Sequence, residues 1–236
     1  VIEIVHELLG NWIDSNIGEI VRVAPYRFHA VIADKWQLGN VFLAGDAAHQ
    51  MPPFMGQGMC SGIRDASNLA WKLKALIREG ASERILESYE EERRPHVEEC
   101  IKLSINAGEL VTSDNPVFPK ADTNDPEKWS RLPPLKSGIF SDTGYERIGH
   151  QGRQPEVSHR GQKILLDCIG GNDWYLVSNR PSKKTRRWCQ TISKADLDDH
   201  PREIELLLNG NDAVLIRPDR YIFGFAKEEK IKDLLD

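Results

Sequence analysis

The sequence predicts an α/β fold, and three features support this class. Between Gly58 and Arg78 the apolar residues recur three and four positions apart, which is the spacing of a long amphipathic helix. A second stretch with helical spacing runs from Glu83 to about Glu109. Beyond residue 160, short apolar runs alternate with turn residues, which is typical of strands. We therefore predict two structured regions along the chain.

The region before the long helix is predicted to contain one helix and a few short strands. Residues 1 to 17 have helical spacing, and residues 20 to 32 alternate well enough for one or two extended strands. Residues 41 to 44 form a continuous apolar run between glycines, which favours a short strand buried on both faces.

The two long helices carry signals for their ends and for their exposed surfaces. Gly80 is suited to end the first helix. Pro95 is expected to kink the second helix or to end its first part, because proline has no backbone N–H to donate. The charged run from Glu90 to Arg94 is interpreted as a solvated face with ion pairs four residues apart.

Residues 160 to 236 are predicted to form a small mixed α/β domain. Strands are predicted at residues 163–166, 173–177, 213–217 and 221–225. The last two flank Pro218-Asp219-Arg220, which has turn chemistry and therefore predicts a hairpin. Residues 111 to 160 are rich in Pro, Gly, Asp, Ser and Asn and are interpreted as an irregular connector.

Composition narrows the class of protein. The chain has 236 residues and a net charge of −5, which does not favour nucleic-acid binding. No apolar run reaches membrane-spanning length, and the first residues do not form a signal peptide. Four scattered cysteines without zinc-site spacing indicate a reducing cytoplasm and no metal centre. The first residue is not Met, so we expect a piece of a longer polypeptide.

The residues after the strand at 41–44 are the most informative for chemistry. Asp46 follows that strand directly, and its carboxylate could accept hydrogen bonds from the hydroxyls of a sugar or a ribityl chain. The alternative is that Asp46 caps a turn or a helix. Pro52-Pro53 forms a stiff turn with few backbone donors, so a flat ring can approach it without leaving N–H groups unsatisfied. The alternative is simple loop punctuation.

A glycine-rich entry to the long helix follows the prolines. At Gly56 and Gly58 no Cβ prevents the backbone from approaching a ligand. Met59 and Cys60 lie in the first helical turn, where unpaired backbone N–H groups favour negative charge. The glycine spacing is not that of the dinucleotide fingerprint, and alone it is weak evidence.

Other polar residues nearby are interpreted as structural. His29 and His49 suggest a general base, but a single histidine near a turn is more often a structural hydrogen-bonding residue. Arg64 and Asp65 are interpreted as an ion pair within the helix or between domains rather than as catalytic groups.

The order of these segments resembles the second flavin-binding motif of the FAD-dependent aromatic hydroxylases, the single-component flavoprotein monooxygenases. Residues 52 to 65 look most like the 3-(3-hydroxyphenyl)propionate hydroxylase branch. Residues 213 to 219 are similar to the thioredoxin-like C-terminal domain of larger members, here without a cysteine pair. The matching segments are Gly45-Asp-Ala-Ala-His49, Pro52-Pro53, Gly56-Gln-Gly-Met59, Asp65-Ala66, Asn68-Leu-Ala-Trp-Lys-Leu73 and Tyr89-Glu-Glu-Glu-Arg-Arg-Pro95.

The resemblance implies roles for individual residues. Asp46 would bind the ribityl chain of FAD, and Pro53 would lie near the isoalloxazine ring, beside the substrate. Gly56 and Gly58 would let the backbone approach the flavin. The N–H groups of Met59 and Cys60 would meet its pyrimidine edge; many relatives carry Asn at the position of Cys60.

The resemblance also implies a reaction. NADH or NADPH would pass a hydride to FAD, and a flavin C4a-hydroperoxide formed with O2 would hydroxylate a phenolic aromatic acid. Arg22, Tyr26 and Arg27 are candidates to shape a site for the acid group, with ordinary strand-surface roles as the alternative. Two other functions stay open: a non-catalytic scaffold that keeps the flavin-domain skeleton, and another flavoenzyme of the same fold, such as an epoxidase or dehydrogenase.

By this resemblance the chain divides into segments of a larger enzyme. Residues 1–32 would end a substrate-domain segment, residues 33–110 would be the second half of a Rossmann-like FAD-binding domain, residues 111–160 a connector, and residues 161–236 the thioredoxin-like domain. The family's first glycine motif is absent. We therefore expect that the N-terminal part of the same polypeptide is a partner of this chain and that the isolated chain is inactive. A homo-oligomer is compatible with the sequence.

Overall fold

Two long helices that pack against each other form the centre of the first region. The structure, a computed structural model, describes residues 2–10, 20–113, 132–181, 186–199 and 202–235. The elements of the first region are α1 (Ile2–Gly10), β1 (Val31–Ile32), β2 (Gln37–Leu38), β3 (Val41–Phe42), β4 (His49–Gln50), α2 (Gln57–Glu79) and α3 (Arg84–Thr112).

The boundaries of α2 and α3 confirm the helices that periodicity predicts. Gly80 ends α2 in the left-handed region, with φ of 74°. This conformation is readily adopted by glycine and costly for other residues. Pro95 lies inside α3, which continues without a break from Arg84 to Thr112. Of the two effects expected of this proline, the end of a helix is wrong and the kink stays a prediction.

The buried face of α2 differs from the face that its apolar residues predict. Met59, Ile63 and Ile77 are 77%, 60% and 71% exposed. The residues that α2 buries are instead mostly polar, namely Ser61, Asp65, Asn68, Trp71, Lys72 and Ala75. The side of α2 that packs on the protein therefore combines charged and hydrogen-bonding side chains with the apolar Trp71 and Ala75.

Short strands and a small aromatic core lie beside α3. Strand β1 pairs antiparallel with β4, and β2 pairs antiparallel with β3. Trp36 is fully buried, and its ring stacks on His49 with centroids 5.4 Å apart. Tyr89 of α3 packs on Trp36 and donates a hydrogen bond to the Leu43 carbonyl over 2.8 Å.

Two expectations for this region need correction, and a third is confirmed for the residues that the structure describes. Residues 20 to 30 form no regular strand, so the extended segment is limited to β1. Strand β3 has only two residues, and Val41 is exposed, so the strand is not buried on both faces. Of the predicted first helix, residues 2 to 10 form α1, while residues 1 and 11 to 17 lie outside the described residues.

The C-terminal region is built on a four-stranded mixed sheet. Its strand order is β10-β9-β7-β8, with β7 and β8 parallel and the other neighbours antiparallel. The predicted α/β fold class is confirmed, and the thioredoxin-like character of this region stays a prediction. The elements are β5 (Glu156–His159), β6 (Gln162–Leu165), α4 (Leu166–Gly170), β7 (Trp174–Ser178), β8 (Cys189–Ser193), α5 (Arg202–Leu208), β9 (Ala213–Ile216), β10 (Ile222–Ala226) and α6 (Ile231–Leu235).

The predicted strands in this region match β6, β7, β9 and β10, and the turn at 218–220 joins the last two as a hairpin. Strands β5 and β8 were not predicted. Of residues 111 to 160, those from 132 to 155 contain no helix or extended strand, and residues 114 to 131 lie outside the described residues. Across the described residues, no helix combines the length and the apolar character needed to cross a bilayer.

A buried ionic cluster joins the C-terminal region to α2 and α3. Arg217 follows β9 and donates to both carboxylate oxygens of Glu92 in α3, over 3.1 and 2.6 Å. It also donates to Asp219 over 3.0 and 2.7 Å. Lys72 of α2 lies 2.9 Å from Glu92, and Asn68 donates to both Glu92 and Asp219 over 2.7 Å.

This cluster contradicts the interpretation of residues 90 to 94 as a solvated face, because Glu92 and Arg93 are buried. Burial alone would raise the pKa of Glu92, but the charges of Arg217 and Lys72 outweigh it and lower the pKa to about 2. Burial also lowers the pKa of Lys72 to about 8, even though Glu92 lies beside it. The cluster therefore holds charges that water does not reach.

Replacing Arg217 with Met is expected to lower the free energy of unfolding by about 3–5 kcal/mol, because Glu92 and Asp219 would keep buried charges without a full partner. The matched control is Arg180→Met, which removes an ion pair to Glu228 whose arginine side chain is 77% exposed. This control is expected to cost less than about 1 kcal/mol. Urea unfolding followed by circular dichroism measures both. Equal costs for the two substitutions would contradict a structural role for the buried cluster.

Candidate functional site

Asp46 lies on a short 3-10 helix, Gly45–Ala47, that packs against the first half of α2. Gly45 has φ of 60°, and a Cβ built on Gly62 of α2 would lie 3.2 Å from the Gly45 Cα. The close approach of these two glycines lets the turn lie directly on the helix. The side chain of Asp46 is exposed beside it.

The proline turn is fixed by its own backbone and by one aromatic ring. Pro53 begins a 3-10 helix that ends at Met55, and the N–H of Gly56 donates to the Pro53 carbonyl over 2.9 Å. Phe54 packs over Gly108 of α3, where a Cβ would lie 2.4 Å from the ring. Pro53 itself remains exposed. The turn therefore presents an outward surface while Phe54 anchors it.

The N-terminus of α2 is open. Gly56 is the N-cap in the left-handed region, with φ of 61°, and no side chain of the described chain caps this helix end. A Cβ at Gly56 or Gly58 would meet no atom within 4 Å. Met59 points mostly into solvent, and Cys60 is half-buried. The first N–H groups of α2 and their partial positive charge are therefore available to a ligand.

Asp65 connects the turn to both long helices. Its Oδ2 accepts hydrogen bonds from the N–H of Gly45 over 3.0 Å and from Nε2 of His49 over 2.7 Å. Its Oδ1 accepts from Nε of Arg93 over 2.9 Å. Burial alone would raise the pKa of Asp65, but the His49 hydrogen bond and the charge of Arg93 lower it below its ordinary value.

Arg93 continues this polar contact towards the C-terminal region. Its Nη1 donates to Nδ1 of His96 over 3.2 Å and to the Tyr221 hydroxyl over 3.4 Å. Because Nδ1 of His96 accepts this bond, the ring is neutral. Burial and the charges of Arg93 and Arg64 lower the pKa of His96 to about 3.

The predicted site residues therefore come together at one end of α2. Asp46 lies on the turn that packs on Gly62, and Gly56, Gly58, Met59 and Cys60 form the beginning of the same helix. His49 has the structural role predicted for it. Asp65 is paired with His49 and Arg93, while the neighbouring Arg64 donates to Gln57 and Ser61.

The other predicted residues lie in the segment before β1, and only part of that segment contacts the proline turn that precedes α2. Arg22, Arg27 and His29 are exposed in a segment without regular structure. Tyr26 is exposed but packs on Phe28 with centroids 5.1 Å apart, and Phe28 meets Phe54 edge-on at 6.0 Å. These three rings, the aromatic row Tyr26–Phe28–Phe54, were not predicted as a unit, because the contact between Phe28 and Phe54 forms only through the tertiary fold.

Comparison with known proteins assigns the family. Residues 2–104 match the family described as FAD binding domain. A probable NADH-specific resorcinol 4-hydroxylase of Rhodococcus jostii is 35% identical over 249 residues, which cover 89% of this chain and 44% of that protein. The chain is similar to part of the FAD-dependent aromatic hydroxylases. A 3-(3-hydroxy-phenyl)propionate/3-hydroxycinnamic acid hydroxylase of Klebsiella pneumoniae strain 342 is 42% identical over 185 residues, covering 70% of the chain and 33% of that hydroxylase.

Solved structures of other proteins share the fold. Aklavinone-11 hydroxylase with FAD and aklavinone superposes with a TM-score of 0.70 at 21% identity, over 99% of this chain and 50% of the other. RebC-10x soaked with chromopyrrolic acid gives a TM-score of 0.72 at 22% identity, over 98% and 51%. The chain thus spans between a third and about half of the length of the flavoproteins that it matches. The cofactor of the family is FAD.

The contact between Gly45 and Gly62 predicts a difference between two glycines of α2. Gly62→Val is expected to lower the free energy of unfolding by about 1–3 kcal/mol, because the new side chain would push the 45–47 turn off the helix. Gly58→Val is the matched control and is expected to change stability by less than about 1 kcal/mol, because its Cβ meets open space. Thermal and urea unfolding of both variants test this. A Gly58→Val variant as unstable as Gly62→Val would contradict the open helix end.

The neutral His96 predicts a pH dependence of stability. Unfolded His96 takes up a proton below its ordinary pKa of 6.5, while folded His96 stays neutral down to about pH 3. Stability is therefore lost as the pH falls from 6.5 towards 3, by up to about 1.4 kcal/mol per pH unit for this group. In His96→Gln the slope of unfolding free energy between pH 6.5 and 5 should decrease, whereas in the exposed control His29→Gln it should not. An unchanged slope in His96→Gln would rule out a buried neutral histidine.

Proposed function

We propose that this chain is part of an FAD-dependent monooxygenase that hydroxylates a small phenolic aromatic acid with NADH or NADPH and O2. The observation that supports this best is the joint position of Asp46 and the open N-terminus of α2. A carboxylate that accepts hydroxyl hydrogen bonds and a row of backbone donors lie at one end of one helix. This combination suits a ligand with a polyhydroxyl chain and a polar ring edge.

The residues present fit FAD in three respects. Asp46 is exposed and would accept hydrogen bonds from the ribityl hydroxyls. The N–H groups of Met59 and Cys60 would meet the pyrimidine edge of the ring. Gly56 and Gly58 have no Cβ, and a Cβ at either position would extend into the open space beside the helix end. Because Cys60 is half-buried, we assign the contact to its backbone and not to its thiol.

FAD, when bound, supplies hydride acceptance from the nicotinamide and the activation of O2. The chain's own contribution is electrostatic and steric. The N-terminus of α2 would stabilise negative charge at the pyrimidine edge, because its dipole and its N–H groups are already oriented. Pro53 offers a ring surface without a backbone donor, which suits close packing against a flat ring.

The aromatic row Tyr26–Phe28–Phe54 would form an apolar wall next to the proline turn. It adjoins Pro53 through Phe54, so an aromatic substrate held beside Pro53 would contact these rings. Such a wall also keeps water away from the reacting atoms. Arg22 and Arg27 are exposed in the same segment and would attract the carboxylate of an aromatic acid. The names of the relatives support a phenolic substrate, since one refers to resorcinol and another to 3-(3-hydroxy-phenyl)propionate.

The free energies that the proposed contacts can contribute indicate that the 236-residue chain alone binds FAD weakly. A dissociation constant of 1 μM requires about 8 kcal/mol. One helix end contributes up to about 2 kcal/mol, and hydrogen bonds to a carboxylate contribute about 1.5–3 kcal/mol each. Ordering of the ligand and the turns opposes these gains. We therefore expect a dissociation constant weaker than about 1 μM and no turnover by the chain alone.

Titration of the chain with FAD, followed by flavin fluorescence, tests the proposed site. Asp46→Asn should raise the dissociation constant at least tenfold, because each hydrogen bond to the charged acceptor would weaken. Gly58→Val should also raise it, since the side chain would occupy the approach to the helix end. The control is Asp34→Asn, an exposed aspartate near the site, which should change affinity less than twofold. If Asp46→Asn and the wild-type chain bind FAD with equal affinity, the proposed site is wrong. A stoichiometric yellow flavin band that stays with the chain through gel filtration would refute weak binding.

The reaction is tested on the polypeptide in which the chain occurs. NADH or NADPH is supplied with resorcinol or with 3-(3-hydroxyphenyl)propionate, and products are separated by chromatography. A hydroxylated product that requires O2 and consumes the nicotinamide supports the proposal. Nicotinamide oxidation with a different product class would favour another flavoenzyme, and failure to retain FAD would favour the scaffold function.

A further inference from the structure

The segment 45–49 carries Asp46 and is closed at both ends by one carboxylate. Oδ2 of Asp65 accepts from the backbone N–H of Gly45, at the beginning of the segment. The same oxygen accepts from Nε2 of His49, at its end. Asp46 lies between these two contacts, and its own side chain is exposed. The position of the Asp46 carboxylate therefore depends on a buried group that does not reach the proposed ligand.

All the partners of Asp65 are hydrogen-bond donors. The Gly45 N–H and the Arg93 guanidinium can only donate, and at 2.7 Å from a carboxylate oxygen Nε2 of His49 must carry its proton. An ionised carboxylate accepts all of these bonds, whereas the amide of Asn would direct its NH2 group at one of the donors. Arg93 supplies the charge that keeps the carboxylate ionised at zero exposure.

Helix α2 also restrains the position of the 45–49 segment. Gly62 lies one turn before Asp65 in α2 and touches Gly45, so the segment is pressed against the helix at the point where Asp65 holds it. Trp36 stacks on His49 and limits the movement of the imidazole. Arg93 in turn contacts Tyr221 of the C-terminal region.

We propose that Asp65 is a positioning residue for FAD binding, which fixes the 45–49 segment and so sets where Asp46 meets the cofactor. This inference rests on the proposed function, because it assigns a role to Asp65 only if Asp46 binds FAD. The carboxylate does not touch the cofactor. Its effect is transmitted through one backbone hydrogen bond and one imidazole.

The test compares two isosteric substitutions of buried aspartates. Asp65→Asn should raise the dissociation constant for FAD at least tenfold in the folded chain. Asp219→Asn is the matched control, since Asp219 is also buried and ion-paired but contacts Arg217 and Asn68 instead of the segment. Both should lower the melting temperature, whereas Asp219→Asn should change FAD affinity less than twofold. Circular dichroism at the titration temperature confirms that each variant is folded.

A purely structural role for Asp65 would predict no loss of affinity in the folded variant, and that result overturns the inference. Equal losses of affinity in both variants also overturn it. The Asp46→Asn variant separates a failure of the proposed function from a failure of the role proposed for Asp65. If Asp46→Asn binds FAD as tightly as wild type does, the proposed function fails. If Asp46→Asn binds FAD weakly while Asp65→Asn binds it normally, only the inference about Asp65 fails.

A measurement on the unaltered chain covers the case in which Asp65→Asn does not fold. Hydrogen exchange followed by NMR should show the Gly45 amide protected to the level of the α2 amides, because its N–H is bound to a buried carboxylate. Exchange of the Gly45 amide at the rate of an unprotected loop would contradict the role of Asp65 even without the variant.

Discussion

The ion pair between Glu92 and Arg217 is the contact on which the arrangement of the described structure depends. Both side chains have zero exposure, and neither charge has water to solvate it. Each must therefore face its partners within narrow limits of distance and direction, which an apolar contact would not impose. Asp219 and Lys72 complete the charge balance around them. The cluster thus constrains how the C-terminal sheet docks on the long helices.

The next residue of α3 extends this constraint to the candidate site. Glu92 contacts the C-terminal region, and Arg93 holds Asp65, which holds the segment that carries Asp46. Arg93 also contacts Tyr221. One turn of α3 therefore positions both the hairpin of the C-terminal sheet and the proposed cofactor segment. The two regions are built on shared charged residues and are not independently placed.

The candidate site itself uses backbone more than side chains. Its donors are N–H groups at the start of α2, its openness depends on glycines, and its flat surface is proline. Among the proposed contacts with FAD, only Asp46 contributes a charged side chain. Backbone donors at a helix end are held by the helix itself, so they do not reorganise when charge develops beside them. The buried charges behind the site supply the rigidity that this backbone needs.

The sequence by itself determined the local features of the protein. Periodicity gave α2 and α3, turn chemistry gave the β9–β10 hairpin, and the order of the glycine, aspartate and proline segments gave the family. These follow from spacing along the chain, because helix periods and turn residues act over a few positions.

The tertiary structure alone decided which face of α2 is buried and which charges matter. Met59, Ile63 and Ile77 of that helix are exposed, while Asp65 and Lys72 are buried, because their partners Arg93 and Glu92 come from α3. The buried Asn68 has one partner, Asp219, that lies 151 positions further along the chain. A run of charged residues is interpreted as solvated as long as its ion-pair partners in other segments are unknown. Burial of a charge depends on contacts between distant segments, and no local pattern of residues encodes those contacts.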